Sequence, residues 1–162
     1  MTKLLLAILW AALMGACSQS PERPAPIATW DEVNALAEAL VFRGEVAAFR
    51  THADFSNIPP ETLPQVMSML NSWHGASGNL RHAGTKVMTF LAYEAFEEEQ
   101  RKDLPEFIRN VPSRIKWNLK PDKVIVFSFV SQDPKDTSTM ARYSVGAYQA
   151  NGFWYFATSY SD

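Results

Sequence analysis

From Thr29 onward the spacing of apolar positions changes several times, and each change predicts an element. Trp30, Val33, Leu36, Ala37, Leu40 and Val41 recur at the three-and-four spacing of one helical face. Thr29 and Glu32 stand in capping-box positions ahead of them. Gly44 interrupts this helix, which resumes through Val46 and Phe49 toward His52. A second helix starts at Pro59-Pro60 and sets Leu63, Val66, Met67, Leu70 and Trp73 on one face, with Gly75 as its stop. Pro64 is tolerated because it falls near the first turn. Residues 75–84 read as a loop and 85–91 as a strand. Beyond Glu94 the chain is rich in helix formers, and Glu97 with Arg101 and Glu98 with Lys102 stand four apart, so helix or irregular chain continues toward residue 110.

The last third is β in character. Ile115 to Leu119 alternates as a half-buried strand, and Pro121-Asp122 turns the chain. Lys123 to Ser131 is almost unbroken β-former sequence, which predicts a central strand covered on both faces. A polar loop follows from Gln132 to Thr139. Residues Ala141–Ala150 and Phe153–Tyr160 then flank Asn151-Gly152, a strong short-range hairpin signal. A two-residue turn there pairs Tyr148 with Tyr155, Ala147 with Phe156, Val145 with Thr158 and Tyr143 with Tyr160. Tyr148, Phe153 and Tyr155 fall together on one face, which makes them the candidate ligand shelf.

The fold class read from this order is α+β. N-terminal amphipathic helices pack on a C-terminal antiparallel sheet of four to five strands ending in the Asn-Gly turn. Helices ahead of a curved sheet are similar in architecture to cystatin-like and cone-shaped α+β folds, some of which enclose pockets. Residues 29–162 suit one globular domain. Ahead of it, 17–28 is a spacer with three prolines after its cysteine, and 1–16 is a leader.

The leader has three physical parts. Lys3 gives a positive start, Leu4 to Leu13 is uninterrupted apolar sequence, and Gly15-Ala16 supplies small residues before Cys17. The thirteen residues from Leu4 to Ala16 fall short of the roughly 20 that a spanning helix needs. Leu13-Met14-Gly15-Ala16-Cys17 resembles the lipobox of bacterial lipoprotein signal peptides, with Met14 where that class more often carries leucine. The resemblance covers residues 1–17 alone. It implies cleavage before Cys17, a diacylglycerol thioether on its Sγ and acylation of the new α-amino group. Each buried methylene then contributes about 0.8 kcal/mol to membrane anchoring. Ser18, where an aspartate would signal inner-membrane retention in enterobacteria-like systems, implies an outer-membrane lipoprotein whose domain faces the periplasm. Cys17 is the chain's only cysteine, so the domain folds without an intramolecular disulfide.

Removing Lys3 with the leader leaves fourteen basic residues against seventeen acidic, a net charge of −3. Without a basic tract, nucleic acid is not an expected partner. The chemistry searched for along the chain does not assemble. His52, His74 and His82 lack His-Glu-x-x-His spacing and have no second cysteine to join them, so no metal or other cofactor is expected. Gly75-Ala-Ser-Gly78 is not a nucleophile elbow, and Glu97-Glu98-Glu99 beside Arg101 and Lys102 reads as a solvated face. No catalytic residue is assigned. The expectation is a lipid-anchored, non-catalytic domain that binds an envelope protein or a ligand. A small-ligand carrier with a cavity between helices and sheet is the alternative, and an enzyme ranks below both. Mass spectrometry of the mature protein should find residue 17 first, carrying lipid; an unmodified thiol or an uncleaved leader would remove the anchor.

Overall fold

The computed structural model describes residues 23–73, 80–102, 115–133 and 140–161; Cys17, His74 and the Gly75–Gly78 loop lie outside them. Thr29 caps helix α1, Trp30–Arg43, by accepting the Glu32 N–H, while the Glu32 carboxylate accepts the N–H groups of Ala28 and Thr29. Gly44, at φ 66°, closes that helix in the left-handed region and donates its N–H back to the Leu40 carbonyl. The glycine therefore separates two helices, and α2 spans Val46–His52. Helix α3 covers Leu63–Trp73, and α4 covers Phe90–Lys102. Thr89 opens α4 by accepting the Ala92 N–H on its hydroxyl, which ends the preceding strand two residues before Leu91.

The strands are β1 Ala53–Asp54, β2 Leu80–Thr89, β3 Ile115–Trp117, β4 Lys123–Ser131, β5 Met140–Ala150, β6 Phe153–Ala157 and β7 Ser159–Ser161. Five form one sheet in the order β1-β6-β5-β4-β2, and β3 pairs with β7 in a separate two-stranded sheet. The large sheet is mixed, which corrects the expectation of a wholly antiparallel one: β1 runs parallel to β6. The other neighbours are antiparallel. Between β5 and β6, Ala150 pairs with Phe153, and Asn151 and Gly152 take φ of 52° and 83°. Strand β2 begins at Leu80, inside the stretch that composition assigns to a loop; its partner β4 extends the ladder from Leu80–Ser131 to Thr89–Lys123 across an irregularity at His82–Gly84.

Both faces of the sheet are covered along β4, where Val124, Ile125, Val126 and Phe127 are all buried. On one face Ile125, Phe127, Val145, Ala147 and Phe156 meet Val33, Ala37 and Leu40 of α1, Phe49 of α2 and Leu70 of α3. On the other, Val124 and Val126 meet Tyr93 of α4, with Trp117 packed alongside. Gly146 makes that second contact possible, since a Cβ there would lie 2.5 Å from Cζ3 of Trp117. The Lys123 ammonium sits 4.4 Å from the Trp30 ring and 5.4 Å from that of Trp154, and the two indoles meet edge to face at 4.9 Å. This cation–π contact joins the start of α1 to β4 and β6. Among the described residues, no helix is long and apolar enough to cross a membrane.

Other boundaries move as well. Phe153–Tyr160 is not one strand, because β6 stops at Ala157 and β7 crosses to β3, with Lys116 opposite Tyr160. Val145–Thr158 and Tyr143–Tyr160 are consequently not rungs of the β5–β6 ladder, which ends at Gly146–Ala157. The folded unit also begins before Thr29. Ala25 donates its N–H to Thr51 O at 2.8 Å, and Ile27 exchanges both backbone bonds with Trp154 at 3.0 and 2.9 Å. The Ile27 side chain is 2% exposed within the main core, in a stretch whose prolines mark it as spacer. Ile27→Ala should therefore destabilise the domain by about 2–5 kcal/mol in urea unfolding. A chain starting at Thr29 should lose at least as much stability relative to one starting at Arg23.

Candidate functional site

The β5–β6 register places Tyr148 opposite Tyr155, and their rings stack with centroids 5.5 Å apart and planes 25° apart. Phe153, two residues along β6 and so on the same face, is 43% exposed. The sheet thus brings all three shelf residues to one face. They are not equivalent, because Tyr148 and Tyr155 are half-buried and Phe153 supplies the most open ring.

Tyr148 is held from a direction that strand patterning does not show. Its hydroxyl donates to Asp54 Oδ2 at 2.7 Å, across a sequence separation of 94 residues. The parallel β1–β6 pairing makes this possible, since it sets Asp54 beside Ala157. The other carboxylate oxygen, Oδ1, accepts the Ser56 N–H at 2.7 Å in an Asx turn. The Asp54 carbonyl accepts Asn118 Nδ2 at 2.7 Å and Thr158 Oγ1 at 2.9 Å. Asn118 in turn donates to Ser56 O at 3.0 Å and accepts the Thr158 N–H on Oδ1 at 2.8 Å. Its own N–H reaches Thr158 O at 2.9 Å. Asn118 is 8% exposed and Thr158 2%, so these bonds satisfy groups that water does not reach.

The electrostatics follow from this geometry. Burial raises the Tyr148 hydroxyl above its usual range, and the Asp54 hydrogen bond and charge add to the effect. Tyr148 is therefore a hydrogen-bond donor and a ring surface near neutral pH. Burial also raises Tyr93, against a hydrogen bond to Ser144 that lowers it, and raises Tyr143.

His52 and His82 do not converge. His52 Nδ1 lies 2.8 Å from the Ala25 carbonyl and helps to hold the N-terminal stretch at the β1 edge. His82, on β2 at the opposite edge, has Nε2 3.0 Å from Thr85 Oγ1 and its ring against Phe42 and Phe129. Among the described residues, no three His, Cys, Asp or Glu side chains group as a metal site would require. In the acidic run, Glu99 pairs with Lys102 at 2.7 Å, and Glu97 reaches Arg142 on β5 at 3.6 Å. A cavity of about 10 Å3 lies where β6 leaves β5, lined by Phe49, Leu70, Val145, Ala157 and Thr158 among others. That is room for about one water molecule.

Asp54, Asn118 and Thr158 are the residues that pattern reading missed. Asp54-Phe-Ser56 has the spacing of an Asx turn, the one local cue; nothing near Asn118 or Thr158 announces their partners. No family model, curated protein or solved structure matches this chain.

The alkaline behaviour of the fold follows from the tyrosines. A hydroxyl whose folded pKa is raised contributes stability that is complete below the unfolded value near 10 and is lost as pH rises through the folded one. Thermal midpoints measured from pH 7 to 11 should hold until about pH 10 and then fall. Tyr148→Phe should cost about 1–2 kcal/mol at pH 7 through the lost hydrogen bond, and its decline above pH 10 should be shallower than the parent's.

Proposed function

We propose that the protein is a lipoprotein of the bacterial cell envelope, anchored through Cys17, whose folded unit binds an envelope protein or ligand and performs no chemistry of its own. The leader carries the first half of this reading: a basic start, a thirteen-residue apolar run and small residues before a lone cysteine. Ser18 favours the outer membrane, with the domain facing the periplasm.

One observation carries the second half. Phe153 stands 43% exposed beside Tyr155 and Tyr148, on a ledge that the Asp54 hydrogen bond fixes in place. Rigid aromatic side chains held before binding lose little entropy on contact, and such rings recur as anchors of binding surfaces. The polar groups nearest the ledge are already engaged with one another, as expected of a framework that presents a surface. The carrier alternative gains nothing from the water-sized gap beside β6.

Photo-cross-linking from position 155 in living cells tests the reading. A discrete adduct should form, and Phe153→Ser should weaken binding of the captured partner by about tenfold or more while leaving the thermal midpoint within a few degrees. Undiminished binding in that variant, or turnover of a substrate by the purified protein, would turn the assignment away from the ledge.

A further inference from the structure

We propose that the β1 edge of the sheet, together with the docked stretch 25–28, is the surface that lies against the lipid headgroups, and that the β2 edge points away from the membrane. This orientation presupposes the anchor at Cys17 proposed above and adds to it a direction.

Chain length decides the matter. Composition alone gives a spacer that runs to Ala28, but Ala25 is already fastened to Thr51, His52 grips the Ala25 carbonyl, and Ile27 is buried against Trp154. Residues 18–24 join the cysteine to Ala25, the first of the described residues to be fastened in this way. Seven residues of proline-rich chain reach about 22 Å at roughly 3.1 Å each.

The sheet is wider than that tether can circumvent. Its order, β1-β6-β5-β4-β2, puts four interstrand spacings of about 4.8 Å between the edges, or roughly 19 Å. Helices α1, α2 and α3 pack on one face and α4 on the other. A chain leaving β1 and passing over either packed face climbs a helical layer about 10 Å thick, crosses the sheet and descends again, a path of about 40 Å. A tether of half that length cannot bring β2 to the bilayer over either face while it stays fastened at β1.

Charge disfavours either helical face. Helix α4 exposes Glu94 and Glu98 besides its Glu99–Lys102 pair, and α1 exposes Asp31, Glu32 and Glu38 against Arg43, so each helix presents a net negative surface that an anionic leaflet repels.

Energy transfer from fluorophores on the lipidated full-length protein tests the orientation. Lipidation occupies the only native thiol, so Arg50→Cys, on α2 just ahead of β1, and Arg81→Cys, on β2 at the opposite edge, each give one labelling site. The protein is placed in phosphatidylethanolamine–phosphatidylglycerol vesicles carrying a headgroup acceptor. Transfer from position 50 should exceed that from position 81 by about twofold or more, given edges about 19 Å apart. Inserting about twenty Gly/Ser residues after Ser20 should bring the two values together by freeing the domain. Equal transfer from both sites before that insertion, or greater transfer from position 81, would overturn the orientation while the anchor stands. Protein whose Cys17 carries no lipid by mass, and which does not float with vesicles, would overturn the anchor and the orientation with it.

Discussion

Asp54, Asn118 and Thr158 lie far apart in sequence and satisfy one another's polar groups where water is excluded. Buried donors and acceptors without partners cost about 1–3 kcal/mol each, so the three segments that carry these residues must meet in one arrangement. That requirement shapes the sheet. Thr158 is turned toward Asn118, β6 ends one residue earlier, and β7 leaves to pair with β3. It also sets the position of Asp54, whose carboxylate then holds Tyr148. The aromatic ledge depends on this junction.

The two faces of the sheet are filled by different means. Three helices cover one with aliphatic and aromatic side chains from every strand between β6 and β4. The other receives a single helix and one indole, and Trp117 fits only because residue 146 has no side chain. Helix α4 is held to that face by Tyr93 and by Phe96, whose ring has Arg142 and Lys86 within 5.4 and 5.5 Å. Toward the Asn151-Gly152 turn this second layer gives way to Phe153, whose ring stands 43% exposed.

What could be read from the sequence was what neighbouring residues decide together. The capping box at Thr29 and Glu32, the glycine ending α1 and the unbroken run of β4 are local patterns with local causes. Strand β1 has no such pattern, being two residues long and paired in parallel with a strand a hundred residues later. Ile27 hides for a similar reason, since three prolines nearby give it the look of solvated chain while its partner is Trp154. Thr158 stops a strand in the middle of good β-former sequence because Asn118, forty residues upstream, takes its N–H. Of the shelf, the shared face of Tyr148, Phe153 and Tyr155 was legible; the carboxylate that fastens Tyr148 was not. Cys17 stands on its sequence context alone.

The edge built from residues 25–28 and β1 has its partners in residues 154–157, near the end of the chain. Closing contacts over so great a separation is slow, because the loop's entropy must be surrendered before any reward arrives. A ribosome delivering this polypeptide therefore releases residues 154–157 before that side of the sheet can be assembled.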